Sequence, residues 1–317
     1  MKINDFALPF ICAFAVLTCS CSGGMNSKGK VPESIKVLAI GNSFSADAVE
    51  QELYGLLAAS GCKNVVIGDM YIGGCPLVRH AANAKADSAA YSYRKIVDGV
   101  MTKTDNVRLS EALKDEMWDF ISVQEGAGFH GYYNTSRNGV SHSMEPDLTF
   151  LIDYVKANSS NKDFKLIYHV PWVAQAGYDG KKFSYYDFDQ NVMYDMITNA
   201  TKQVLDAHEE IDLCMNTVDA VQNARTSFIG DNMTRDGWHL SYTAGRYTSG
   251  CLWCEKLTGK SVVGNGYHPD TINEEIATVC QQAAHQAVEH PFITTDLSYI
   301  PEPSEDTSFT ADNPADM

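Results

Sequence analysis

What most constrains this chain is an alternation. Five short runs rich in apolar and β-branched residues recur at wide intervals: 35–40 (IKVLAI), 65–72 (VVIGDMYI), 119–123 (DFISV), 165–170 (KLIYHV) and 211–218 (IDLCMNTV). Helical patterns lie between them. After the first run, Val49, Leu53, Leu56 and Leu57 share one helical face, with Ser45 placed as a cap. After the fourth, Phe188, Val192, Met196 and Ile197 do the same, and 241–257 and 272–288 read as further helices. Strands that alternate with helices predict a parallel sheet buried between two helical layers. Right-handed crossovers bring every strand's C-terminal end to one edge, and ligands of such folds bind there. The residues that follow each run therefore carry the functional information.

Composition narrows the partners. The chain has 317 residues, 44% hydrophobic and 20% charged, with no internal repeat and no Gly/Ser/Pro linker to divide its core. Its formal net charge is -16 and it has no cluster of Lys and Arg, which argues against nucleic acid as a partner. The first residues differ from the rest. Lys2 precedes an apolar stretch, 6–17, too short to span a bilayer comfortably, and "VLTCSCSGG" follows. Residues 1–21 are thus expected to be a lipoprotein-type signal, with Cys21 or Cys19 lipidated and the chain exported and tethered to the cell envelope; a plain secretory signal is the alternative.

Six further cysteines remain: Cys62, Cys75, Cys214, Cys251, Cys254 and Cys280. An exported chain can form disulfides, but Cys251 and Cys254 sit in a helical pattern and Cys214 in an apolar run, as free core cysteines do. No second ligand pair accompanies them, so no metal is expected. Two long connections, 73–110 and 125–146, read as binding or mobile loops. The main domain is expected over 34–290, and 291–317 as an acidic, loosely ordered tail.

The first run ends in Gly41-Asn42-Ser43-Phe44-Ser45. A serine at such a turn either caps the helix or is held out as a nucleophile. A nucleophile needs a base, and the base an orienting group. Of the nine histidines, His239 in Asp236-Gly237-Trp238-His239 follows the fifth run and precedes a helix. A carboxylate three residues back can hold Nδ1 and leave Nε2 facing Ser43.

Together these blocks resemble the SGNH/GDSL-type hydrolase superfamily, which carries a Gly-Asp-Ser block early and an Asp-x-x-His block late. Asn42 stands where that superfamily has Asp. More narrowly, "LAIGNSFS", "YIGGC", "WDFISVQ", "VQNAR" and "RDGWHLS" resemble an uncharacterised SGNH-like family of gut Bacteroidetes, of the DUF4886 type. The resemblance spans roughly 35–257. It implies an α/β fold, a flavodoxin-like three-layer α/β/α sandwich on a five-stranded parallel sheet. It also implies Ser43 as nucleophile, His239 as general base and Asp236 as its orienter. The oxyanion hole would take the N–H of Ser43, that of Gly74 in "YIGGCPL" (favoured over Gly73), and the Gln124 amide in place of the superfamily's Asn. No cofactor is required.

Trp172, His130, Tyr132 and Tyr133 are candidate substrate contacts near the same edge, although Trp172 reads equally well as a core aromatic. The function so read is an exported serine esterase that removes acetyl or other small acyl groups, with a small-molecule or glycan ester as substrate. A lipase or thioesterase on the same triad is an alternative. So is a non-catalytic carbohydrate-binding lipoprotein on a hydrolase scaffold.

Overall fold

A computed structural model describes residues 30–126 and 128–303. The expected signal with Cys19 and Cys21, and the tail beyond residue 303, lie outside the described residues. In chain order the elements are β1 (Ser34–Gly41), α1 (Ser43–Val49), α2 (Leu53–Ala59), β2 (Asn64–Tyr71), α3 (Leu77–Lys85), β3 (Tyr91–Val97), β4 (Val100–Val107), α4 (Leu109–Asp115) and β5 (Phe120–Gln124). There follow β6 (Thr135–Arg137), β7 (Val140–His142), α5 (Asp147–Asn158), β8 (Lys165–Val170), α6 (Gln190–Ala207), β9 (Leu213–Asn216), α7 (Thr217–Arg225), α8 (Ala244–Thr258) and α9 (Glu274–Glu289).

The main sheet runs β4-β3-β2-β1-β5-β8-β9. Its five strands β2-β1-β5-β8-β9 are parallel, in register Val37↔Ile67, Val37↔Phe120, Gln124↔His169 and Val170↔Asn216. That order is flavodoxin-like, with the direction of winding reversing at β1. β1 is buried throughout from Val37 to Gly41, because helices cover both faces. Helices α1, α2, α7, α8 and α9 pack together as one layer, and α3, α4 and α5 as the other. The reversal at β1 requires this: crossovers of one hand that leave in opposite directions fall on opposite faces.

Several expectations need correction. The sheet has seven strands, not five, because the 73–110 connection supplies the antiparallel strands β3 and β4. β4 is exposed almost throughout, so its sequence (VMTKTDNV) carries no apolar run. A charged strand of that kind suits a sheet edge. The last run yields a strand of four residues only, and Thr217 already opens α7. The helix after β1 is two helices, and its cap is Asn42, whose Oδ1 accepts the Phe44 N–H at 2.9 Å. Ser45 lies inside α1. α6 starts at Gln190 under an Asp189 cap, which leaves Phe188 outside it and exposed while Met193, Ile197 and Val204 turn inward. The 125–146 loop carries the β6–β7 hairpin.

The stretch from Pro291, read as loose, is anchored over its described part. The N–H groups of Phe292, Thr295 and Leu297 donate to Asp219, Asn223 and Thr226, and Leu297 is fully buried. One inward-facing leucine and three side-chain acceptors on or just past α7 outweigh an acidic, Pro-containing composition. The six cysteines among the described residues are free.

Candidate active site

The site begins where β1 stops. Gly41 must be glycine: a Cβ there would lie 2.0 Å from Ser45 Oγ and 2.6 Å from Gln124 Oε1. Asn42 is in an extended conformation, φ -144°, and its side chain bonds twice. Oδ1 caps α1, and Nδ2 donates to the Cys75 carbonyl at 3.1 Å. The next residue, Ser43, is half-buried, with Oγ 3.0 Å from His239 Nε2.

The imidazole is held by its own turn. Asp236 Oδ1 accepts the N–H of Trp238 at 2.9 Å and of His239 at 2.7 Å, and Oδ2 lies 2.7 Å from His239 Nδ1. Burial pushes the Asp236 carboxyl up, but those N–H bonds outweigh it and leave the group below its ordinary range, so it is a carboxylate. With Nδ1–H donated to Asp236, Nε2 presents its lone pair to Ser43. Gly237, at φ +80°, makes the turn possible, and a Cβ on it would strike the Tyr178 ring at 2.5 Å.

A buried carboxylate joins the two halves. Asp47, one helical turn after Ser43, accepts from Arg235 Nη1 at 3.0–3.1 Å, from Arg246 Nε and Nη2 at 2.9 and 2.6 Å, and from the Leu240 N–H at 3.0 Å. Both guanidiniums also stack on Tyr242. Helix α1 and the Asp-His loop are thus bolted together across almost two hundred residues of sequence. The stretch after β8 grips the same loop, through Gln175 N–H to Gly237 O at 2.9 Å and Thr234 Oγ1 to Gln175 Oε1 at 2.9 Å. Asp47, Gln175 and Tyr178 were missed in the sequence. Only Asp47 left a signal, as an acid on the wholly inward side of a short helix.

The expected substrate contacts divide. Trp172 is 1% exposed; its indole N–H donates to Trp238 O at 2.8 Å and its ring packs 4.5 Å from Phe44, so it supports the floor of the site from within. Tyr132 is fully buried, with its hydroxyl on Tyr185 O, and is no rim residue. The loop turns its rings inward because they pack on Tyr185 and Tyr186. His130 is also buried, against Phe44 and Trp238. Burial, with Lys182 nearby, drives its pKa down to about 3, so its imidazole is neutral and a weak proton acceptor. Tyr133 is half-buried, its hydroxyl 3.5 Å from Glu145.

The expected oxyanion donors are placed as follows. Gly74 sits in an exposed turn at φ +59°, next to the Cys75 whose carbonyl Asn42 holds. Gln124 is fully buried at the end of β5; its Oε1 accepts from Ser45 Oγ at 2.7 Å, and its Nε2 has no partner among the described residues. Metal ligands come together in one place among the described residues. Glu255, His285 and Glu289 have ligand atoms within 4.8 Å of one another. Glu255 lies eleven residues into α8, about 16 Å of helix rise beyond its start near the triad, and its oxygens already take His285 Nδ1 and the Val262 N–H.

Fold and geometry define a class: a flavodoxin-like α/β/α protein with a hydrogen-bonded Ser–His–Asp line at the edge where its winding reverses. The family follows from sequence. The domain of unknown function DUF4886 matches residues 36–287, and the chain belongs to that family. A DUF4886 family protein from Bacteroides uniformis is 42% identical, covers 83% of this chain and 98% of its own, and superposes with a TM-score of 0.78. An acetylxylan esterase from Geobacillus stearothermophilus is 15% identical, with a TM-score of 0.46 over 74% of this chain and 98% of its own. An α/β hydrolase from the metagenome of Lake Arreo, Spain, is 12% identical, with a TM-score of 0.42 over 73% and 98%. Likenesses that faint say nothing of the reaction. No curated protein matches the chain.

Proposed function

We propose that this chain is an exported serine esterase that hydrolyses small acyl esters, acetyl esters of carbohydrates foremost. The observation that carries the reading is the continuous line Ser43 Oγ–His239 Nε2 at 3.0 Å and His239 Nδ1–Asp236 Oδ2 at 2.7 Å. Ser43 Oγ attacks the ester carbonyl while His239 takes its proton, and Asp236 stabilises the imidazolium and fixes the tautomer. The charge on the carbonyl oxygen is assigned to the N–H groups of Ser43 and Gly74 and to Gln124 Nε2. One such donor contributes about 3 kcal/mol in the transition state. The amide nitrogen of Gln124, buried and without a partner among the described residues, supports its place in that set. The C–O bond then breaks, His239 returns the proton to the alcohol, and water frees the acid by the same steps.

Turnover of p-nitrophenyl acetate and labelling by a fluorophosphonate test the reaction, with Ser43→Ala expected to abolish both. Equal turnover by wild type and Ser43→Ala would remove Ser43 from the mechanism. A panel of acetylated sugars, short-chain and feruloyl esters, and thioesters tests the substrate class. The proposed envelope anchor is tested by palmitate labelling in cells, expected to vanish when Cys21 or Cys19 is replaced.

A further inference from the structure

The turn that carries the nucleophile also carries two side chains, one that reaches the assigned donor Gln124 and one that reaches the residue after the assigned donor Gly74. Asn42, one residue before Ser43, holds the Cys75 carbonyl through Nδ2, and Cys75 follows Gly74 directly. Ser45, two residues after Ser43, donates its hydroxyl to Gln124 Oε1. Both side chains are fully buried, and both contacts cross between segments far apart in sequence. Gln124 has a long arm with several rotamers, and a donor is worth its full effect only when held in place before the charge develops.

We propose that Asn42 and Ser45 are positioning residues that set the oxyanion donors against the nucleophile, Asn42 through the Gly74 turn and Ser45 through the Gln124 amide. This rests on the serine esterase reading above. It also gives a physical reason for asparagine at 42. The partner is a carbonyl oxygen, which needs a donor, so an ionised aspartate could cap α1 but would face that carbonyl with no proton to offer. Ser45 acts in the same sense. With Oε1 occupied by its hydroxyl, the amide orientation is fixed and Nε2 is the atom left over.

The test compares Asn42→Asp, Ser45→Ala, Gln124→Ala and the Ser45→Ala/Gln124→Ala double variant with wild type on p-nitrophenyl acetate. Inhibition by phenylboronic acid, a tetrahedral mimic, is measured alongside. Asn42→Asp and Ser45→Ala are each expected to lower kcat about tenfold to a hundredfold. KM should stay within about threefold, and boronate affinity should fall in step with kcat. Ser45→Ala is expected to add nothing once Gln124 is Ala, since it acts through that amide.

Unchanged kcat in both single variants, or additive losses in the double variant, would overturn the proposal while leaving the triad standing. A wild type that neither turns over nor labels at Ser43 would bring down the esterase reading and this proposal together. Should Asn42→Asp fail to fold, Ser45→Ala, which removes one oxygen, carries the test through the same cycle.

Discussion

At the scale of single residues, Asp236 works half in solvent yet has little freedom, because three N–H groups fasten its two oxygens. Asp236→Asn would turn one of those acceptors into a donor and force the wrong tautomer on His239. It is expected to lower kcat on p-nitrophenyl acetate by about 10³–10⁴, with the Ser43-dependent residue of activity still measurable.

Asp69 presents the opposite case. It is fully buried in β2 and neither oxygen has a donor among the described residues. Burial, and then the neighbouring Glu50 carboxyl, push it well above the ordinary carboxylate range, which favours the protonated acid in the fold. An acid whose pKa rises on folding costs stability as pH climbs from its unfolded value near about 4 toward its folded one. Asp69→Asn should therefore gain in urea midpoint over wild type as pH rises through that window, with the gap closing near pH 4; a gap independent of pH would refute the assignment. Residues of this kind explain what the sequence conveys. Ser43 was legible because its block follows β1 directly, and Asp236 and His239 because they share one short Asp-x-x-His block just before α8. Asp69 reads only as one polar letter inside an apolar run.

At the scale of elements, the same contrast separates the strands. β1, β5 and β8 are covered on both faces and spell themselves out as apolar runs. β4 escaped notice because an edge strand can be built from Lys, Thr and Asp, and β3 because its buried Tyr91, Tyr93 and Ile96 are interleaved with Ser92, Arg94 and Lys95. Nor could Tyr132 and Trp172 be placed, since a loop aromatic reads alike whether it faces a ligand or a core. The joint between α1 and the Asp-His loop is a further relation between elements that no local pattern encodes: Asp47 meets Arg235 and Arg246 from 188 and 199 residues away. Asp47→Ala would strand two mostly buried guanidiniums, and is expected to lower unfolding free energy by about 3–5 kcal/mol. Urea denaturation measures the loss, and kcat should fall with it at temperatures where the variant stays folded.

At the scale of the whole molecule, stability comes from burial on both faces of a wide sheet, without covalent staples among the described residues. All six cysteines there are free, and burial holds the thiols of Cys75, Cys214, Cys254 and Cys280 up at about 12, poorly reactive at neutral pH. The thermal midpoint is accordingly expected to be the same with and without dithiothreitol; a drop on reduction would mean a disulfide formed in solution.

The segment laid over α7 has a reach beyond its length. α7 ends at Arg225, whose guanidinium holds the carbonyls of Val173 and Ala174, and the neighbouring Gln175 holds Gly237 beside the imidazole. Someone trimming the chain after His290, as its composition invites, would pull out the first brick of an arch whose keystone is His239.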